Sequence, residues 1–300
     1  MGSRTRDGGK APLWALVVLG GAALVVAGLH LLRRAVSLRP EYRVIPRVTR
    51  IEAAPPWLGP LGKAHLVRLV EGAFPRSFQV FQAAPLRKAL ERIHSEGLAG
   101  RTRAERVLPS QVRLVLEVPR PVAFFRDSRG RAHVLDAWGR PLPFPLSGIK
   151  VSLPELTGLS REARGREGKE RKEALRAGGA VARQVEESFL PALGRGFLLR
   201  AVDLSNLGYK LLADGERAEI RLVFQAPDGH LVTLEWDRSP FSPYGNIPLS
   251  QKIDVARKIL AKYPGFQGVL GADLRWELRW EQWLTLAPPE GQAARGGEGK

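Results

Sequence analysis

Residues 11–32 read APLWALVVLGGAALVVAGLHLL, twenty-two positions whose only strongly polar member is His30. As a helix rising 1.5 Å per residue this stretch spans about 33 Å, enough for a bilayer hydrocarbon core of about 30 Å. Any fold must therefore place it where water is absent. A cleaved signal peptide has an apolar region of about 7–15 residues followed by a small-x-small site. Here Arg33 and Arg34 follow instead, so a retained transmembrane helix is expected over residues 11–32, with residues 1–10 as a short tail. His30 lies near one end of the span and reads as interfacial. Sidedness stays open on charge alone: Arg4, Arg6 and Lys10 precede the helix, while Arg33, Arg34, Arg39, Arg43 and Arg47 follow it. A positive-inside count would keep the long C-terminal part in the cytoplasm, but long domains often cross regardless of charge.

The remaining length allows one large or two ordinary domains. With no cysteine in 300 residues, disulfides, Cys-based zinc sites and thiol nucleophiles are excluded together. The net charge of +17 would concentrate polyanions at the surface. Its basic residues are scattered rather than interleaved with aromatics in one run, as a base-stacking groove requires. Attraction to anionic lipid headgroups therefore accounts for the charge better than nucleic-acid recognition.

Hydrophobic periodicity divides the chain after the anchor into two regions. Residues 42–53 read as a strand. Helical spacing follows in residues 62–74 (Leu66, Leu69, Val70, Ala73) and 85–94 (Leu86, Ala89, Leu90, Ile93), and residues 105–108 and 111–118 return to strand alternation. The order β-α-α-β-β suits a small sheet with two helices on one face, spanning residues 43–118. Residues 119–287 are strand-rich, with strands expected over 122–125, 131–135, 197–204, 209–213, 218–226 and 230–236. Pro227-Asp228-Gly229 marks a hairpin turn between the last two. Helices are expected over 161–193 and 249–262. In residues 272–286, Leu274, Trp276, Leu278 and Trp280 alternate with Arg275, Glu277, Arg279 and Glu281, the clearest strand pattern in the chain. Residues 288–300 read as a disordered tail. The fold class is thus α+β: one N-terminal transmembrane helix, a β-α-α-β-β domain and a strand-rich domain with two helices.

Signs of catalysis are sparse. The five histidines have no metal-ligand spacing on one helix, and neither a G-x-S-x-G, a phosphate loop nor a G-x-G-x-x-G is present. The GREGK stretch at residues 165–169 lacks the strand and glycine pattern of a phosphate cradle. Asp127 and Asp136 are the best carboxylate pair, but each precedes a glycine by three residues, as turn acids do. A non-catalytic protein without catalytic, cofactor or metal residues is expected.

From Val107 onward several short motifs occur in a fixed order. They are Leu108-Pro109-x-x-Val112-x-Leu114-x-Leu116-Glu117-Val118-x-x-Pro121-Val122-Ala123, Leu135-Asp136-x-x-Gly139-x-Pro141, Leu153-Pro154-Glu155-Leu156-Thr157-Gly158, and Lys252 followed by Ala272-Asp273-Leu274-Arg275-Trp276. Together, after a single anchor, they resemble the FtsQ/DivIB family of cell-division proteins. That resemblance implies a bitopic divisome scaffold in the cell (inner) membrane at the division septum. Its N-terminus would be cytoplasmic, with a POTRA domain and a β domain outside. The implied partners are FtsB/FtsL-like division proteins, bound by strand addition at the C-terminal β edge, and other divisome proteins through the POTRA domain. Arg275 and Trp276 match the family's R-Y and are the leading contacts, with Glu277, Arg279 and Trp280 beside them. Two other classes remain open: an anchored polyanion- or nucleic-acid-binding protein, and a POTRA-type secretion or chaperone component.

Overall fold

The computed structural model describes residues 13–37, 39–46, 55–159, 168–209, 211–212 and 217–288. It is a mixed α+β structure with one N-terminal apolar helix and one large sheet. Helix α1 (Leu13–Ser37) is long and apolar enough to cross a membrane. It runs five residues past the expected end at Leu32, taking in Arg33 and Arg34. Positions 1–12, 47–54 and 289–300 lie outside the described residues. So do the expected N-terminal tail, the start of the anchor, most of the strand at 42–53 and almost all of the C-terminal tail.

The chain divides into two compact units, one of residues Met1–Arg50, Leu69–Ile93 and Thr102–Leu116, the other of Ile51–Arg68, His94–Arg101 and Glu117–Lys300. Along residues 43–117 the order is β1 (Arg43–Val44), α2 (Pro60–Ala73), β2 (Phe78–Gln79), α3 (Ala83–Ser95), β3 (Arg101–Val107) and β4 (Gln111–Glu117). This corrects the expected β-α-α-β-β order, because the short strand β2 separates the helices and pairs antiparallel with β1. Two residues are too few to show a period. In the smaller unit Val44, Phe78 and Val80 form a core closed by Tyr42, Phe74 and Phe81.

The larger unit is built on an eight-stranded sheet in the order β12-β11-β10-β9-β8-β7-β5-β6. Its strands are β5 (Pro121–Arg126), β6 (Ala132–Asp136), β7 (Glu155–Thr157), β8 (Leu198–Asp203), β9 (Ile220–Gln225), β10 (Leu231–Asp237), β11 (Val269–Asp273) and β12 (Leu284–Leu286). The β9–β10 hairpin turns where expected: Gly229 takes a φ of 97°, which glycine adopts without strain, and donates to Ala226 O at 2.9 Å.

Two helices cover one face. Helix α4 (Lys169–Gln184) connects β7 to β8, and α5 (Leu249–Lys262) connects β10 to β11, so both of these strand pairs are parallel. Antiparallel neighbours can turn directly, whereas parallel neighbours need such a crossover. The helices bury Val181, Phe189, Val255 and Ile259 against Val202, Leu222, Leu234 and Val269 of the sheet. Helix α4 continues through a π-helical turn, Val185–Phe189, into a last turn, Leu190–Leu193. Pro191 explains the irregularity. It has no N–H to donate to Glu187 and its ring clashes with that carbonyl, so the helix widens by one residue to pass it.

Two further expectations are corrected. Of the strand expected over 209–213, the described residues Tyr209, Leu211 and Leu212 are not in a strand, Tyr209 sitting in the left-handed region at φ 55°, and residues 210 and 213 lie outside the described residues. The described part of that loop is instead held by buried Asn206, which binds the Leu211 and Leu212 amides and the Leu212 and Ala218 carbonyls. Residues 272–286 are not one strand either. β11 ends at Asp273, a turn follows, Trp280–Trp283 form a 3-10 helix, and β12 covers only three residues.

Gly139 shows how closely α4 approaches the sheet. It has a φ of +71°, and a Cβ there would lie 2.4 Å from backbone atoms of Leu175 and Arg176. Gly139→Ala should therefore cost on the order of 3 kcal/mol through strained backbone and overpacking. Equilibrium denaturation should show a lower midpoint at an unchanged slope.

Candidate functional site

The eight-stranded sheet ends differently at its two edges. Beyond β6 the chain doubles back, with Leu142 N donating to Val134 O at 2.7 Å and Leu135 bridging Pro141. A returning segment with a proline covers that edge against foreign strands. At the other end β12 pairs only with β11 among the described residues.

The orientation of the β12 groups follows from its hydrogen bonds. Neighbouring residues of an antiparallel strand turn their N–H and C=O to opposite sides. Ala287 N donates inward to Gly268 O at 2.7 Å. Leu286 accordingly turns both its N–H and C=O outward, and Leu284 its carbonyl. The Leu284 amide is occupied by Glu281 O. The exposed edge is short, but it lies beside unusual surface. Trp276 and Trp283, each 43% exposed, stack with ring centroids 5.7 Å apart. Leu278 is 87% exposed and Leu286 47% exposed. Large aromatic and aliphatic side chains clustered in water have the composition of a protein-binding hot spot.

A cleft of about 450 Å³ adjoins Trp276, walled by Arg275 on one side and by Arg238, Tyr244, Asn246 and Ile247 on the other. Its far wall, residues 238–248, is pinned by hydrogen bonds. Arg238 Nε donates to Tyr209 Oη at 2.9 Å, Asn246 Nδ2 to Ser239 O at 2.9 Å and Ile247 N to Asp237 Oδ2 at 2.6 Å. Asp237 also pairs with Lys252 Nζ at 2.9 Å, both side chains being buried. The ammonium lies 4.6 Å from the Trp236 ring centroid. Burial pushes the Lys252 amine down from its ordinary value, and the Asp237 carboxylate offsets part of that effect.

The sheet face opposite the helices carries a row of charges. Its register aligns Asp203 with Arg221, Arg221 with Glu235 and Glu235 with Asp273. Arg221 Nε donates to Asp203 Oδ2 at 3.1 Å, and Arg275 closes the row on Asp273, Nη2 to Oδ2 at 2.7 Å. Burial raises the Glu235 carboxyl, and the Ala218 amide hydrogen bond only moderates the rise. For Asp203 burial acts in the same direction, but hydrogen bonds from Arg221 and Ser205 outweigh it and hold the carboxyl below its ordinary value. Asp127 and Asp136 are each committed to their own turns, Asp127 to the amides of Arg129 and Arg131 and Asp136 to those of Trp138 and Arg140. Among the described residues no three His, Cys, Asp or Glu converge as metal ligands.

The five residues expected to contact a partner are not equivalent. Arg275 is only 7% exposed, its guanidinium bound to Asp273, so its foremost role is structural. Trp280 is half-buried and packs on the core. Trp276, Glu277 and Arg279 are exposed. Glu277 is tied to Lys258 at 2.9 Å, and Arg279 occupies a left-handed turn position at φ 62°. The pattern of alternation passed over Trp283, Leu286 and Tyr244. The first was within reach of a different reading, because Trp276, Trp280 and Trp283 are also spaced i, i+4, i+7, a helical period that competes with strand alternation. No protein-family model matches the chain, and a search of curated proteins finds no match.

Two measurements test this site. Lys252→Met should cost on the order of 3 kcal/mol, because it strands a buried carboxylate. Adding Asp237→Asn should recover part of the loss in a double-mutant cycle read by denaturant unfolding. For Asp203, a carboxyl lowered on folding contributes stability above its ordinary value of 3.8, which is lost as pH falls through the lower folded value. The melting temperature should therefore fall on acidification over that window, and less steeply in Asp203→Asn.

Proposed function

We propose that the chain is a membrane-anchored, non-catalytic division scaffold of the FtsQ/DivIB kind, which captures an FtsB/FtsL-like partner by adding a partner strand to β12. The observation that carries the reading is the contrast between the sheet's edges, β6 covered by its own chain and β12 bare on its outer side among the described residues. Strand addition draws affinity from main-chain hydrogen bonds and specificity from pockets for alternate side chains. Leu286 offers a donor and an acceptor, and Trp276 and Trp283 offer apolar anchors. The cleft beside Trp276 can take a partner side chain.

Three other features support the reading. Helix α1 is long and apolar enough for a single-pass anchor. The order β1-α2-β2-α3-β3-β4 along residues 43–117 is compatible with a POTRA-type module, to which we assign contacts with other divisome proteins. The buried Arg275–Asp273 pair holds the turn out of β11, and the buried Lys252–Asp237 pair holds the 238–248 loop. The scaffold would have its N-terminus in the cytoplasm, the chain beyond α1 outside the cell (inner) membrane, and its place of work at the division septum.

The partner site is tested by capture of the FtsB/FtsL-like partner on immobilised full-length protein. Leu286→Pro removes the outward amide of β12 while sparing the inward pairs, and should weaken capture at least about tenfold, as the loss of one or two main-chain hydrogen bonds implies. Trp283→Ala should weaken it about thirtyfold if the ring is a hot-spot anchor worth about 2 kcal/mol. Leu231→Lys, an exposed position on β10, should leave capture unchanged. Undiminished capture by Leu286→Pro and Trp283→Ala with native unfolding profiles would sink the edge assignment.

A further inference from the structure

The positive charge is not evenly shared between the two units. The unit that carries α1 holds 16 Lys and Arg against 5 Asp and Glu, whereas the larger unit holds 31 against 25. Arg4, Arg6, Lys10 and Asp7 precede the helix, so residues 11–50, 69–93 and 102–116 of this unit hold 13 against 4, or +9 of the net +17 in eighty residues. Arg33 and Arg34 lie in the last turns of the apolar helix, so the positive charge begins where the apolar stretch stops. Beyond it, Arg39, Arg43, Arg76, Lys88, Arg103 and Arg106 are all exposed.

The acids of this unit neutralise little of that charge. Arg39 meets Glu41 at 3.5 Å, Arg87 meets Glu91 at 3.8 Å and Arg103 meets Glu105 at 3.2 Å, all between exposed side chains, where such pairs are weak. The kind of polyanion is narrowed by the aromatics. Tyr42 and Phe81 pack against each other, Phe74 stacks on Phe78, and these rings close the unit's own core. They are not spread along a basic groove, as single-stranded nucleic acid requires. Lipid phosphates need no stacking, only cations held within about a Debye length of the surface, roughly 8 Å at physiological salt. A helix crossing the same bilayer would supply that proximity, replacing a bimolecular encounter by a high effective concentration.

We propose that the arginine-rich unit docks on anionic lipid headgroups of the leaflet into which the chain emerges from α1. The inference rests on the membrane-anchored reading and is independent of the partner edge on β12. Each Lys or Arg brought to an anionic surface shifts the equilibrium about fivefold, so a handful suffices to hold a tethered unit down.

The absence of cysteine permits one dye on the full-length chain, at Gln111→Cys, an exposed position on β4. Energy transfer to a headgroup-labelled lipid is then measured in proteoliposomes of phosphatidylcholine, with or without about 30% phosphatidylglycerol, a surface charge of the order found in cells. Transfer should rise at least twofold with the anionic lipid. It should return to the neutral-lipid level in about 0.5 M salt, where the Debye length is only a few ångströms. The combined Arg76→Glu, Lys88→Glu and Arg106→Glu variant should also return it to that level, and the salt arm stands alone if this variant does not fold. Equal transfer in the two lipids would overturn the proposal, as would preferential, salt-sensitive binding of the unit to duplex DNA added to the vesicles. If the chain fails to float with vesicles of either composition, the anchor reading fails first and the proposal with it.

Discussion

The parallel return of the chain over the sheet is the constraint on which the rest of the larger unit depends. After β10 the chain cannot turn directly into a parallel neighbour, so α5 carries it back across the apolar face and β11 enters beside β10. Helix α4 does the same between β7 and β8. Both helices cover one face of the sheet, and their contacts with Val202, Leu222, Leu234 and Val269 make up much of its core. Because β11 is internal, the last short strand is left at the edge.

The charges on the opposite face are placed where this arrangement needs them. The row from Asp203 through Arg221 and Glu235 to Asp273 crosses four neighbouring strands. Arg275 folds back on Asp273, so the main chain leaves β11 in a fixed direction. Asp237 and Lys252 do the same for the 238–248 loop. The rings of Trp276 and Trp283 stack on each other yet each stays 43% exposed. Surface of that kind, beside main-chain groups that are unpaired among the described residues, is hazardous unless something covers it, which is why its location carries functional weight.

Much of the architecture is legible from residue patterns where the pattern is long. The apolar run in α1, the i, i+3, i+4 spacing of α2, α3 and α5, and the Pro227-Asp228-Gly229 turn each have one physical reading. Short elements such as β2 and β7, two and three residues long, have no period to read. The C-terminal segment fails for another reason. Its Leu and Trp residues satisfy a period of two and, at Trp276, Trp280 and Trp283, a helical period as well. Burial decides between them: Leu274 is fully buried and Arg275 folds back onto buried Asp273, while the ties from Glu277 to Lys258 and from Glu281 to Lys262 lie between exposed side chains and add little. The residues expected to contact a partner therefore lie in the stretch that ends in the sheet's bare edge, but their exposure differs from the expectation. Arg275 turned inward, and Trp283 and Leu286 took the exposed place assigned to a longer strand.

The central claim is that β12 keeps its outer main-chain groups unpaired until a partner strand arrives. Backbone hydrogen exchange of the full-length protein, resolved at Leu286 and Ala287, tests it most directly. The account predicts that the Ala287 amide, bonded to Gly268, is protected throughout, while the Leu286 amide exchanges freely alone and becomes protected when the FtsB/FtsL-like partner is added. A Leu286 amide already protected in the isolated protein, or one indifferent to the partner, would contradict it.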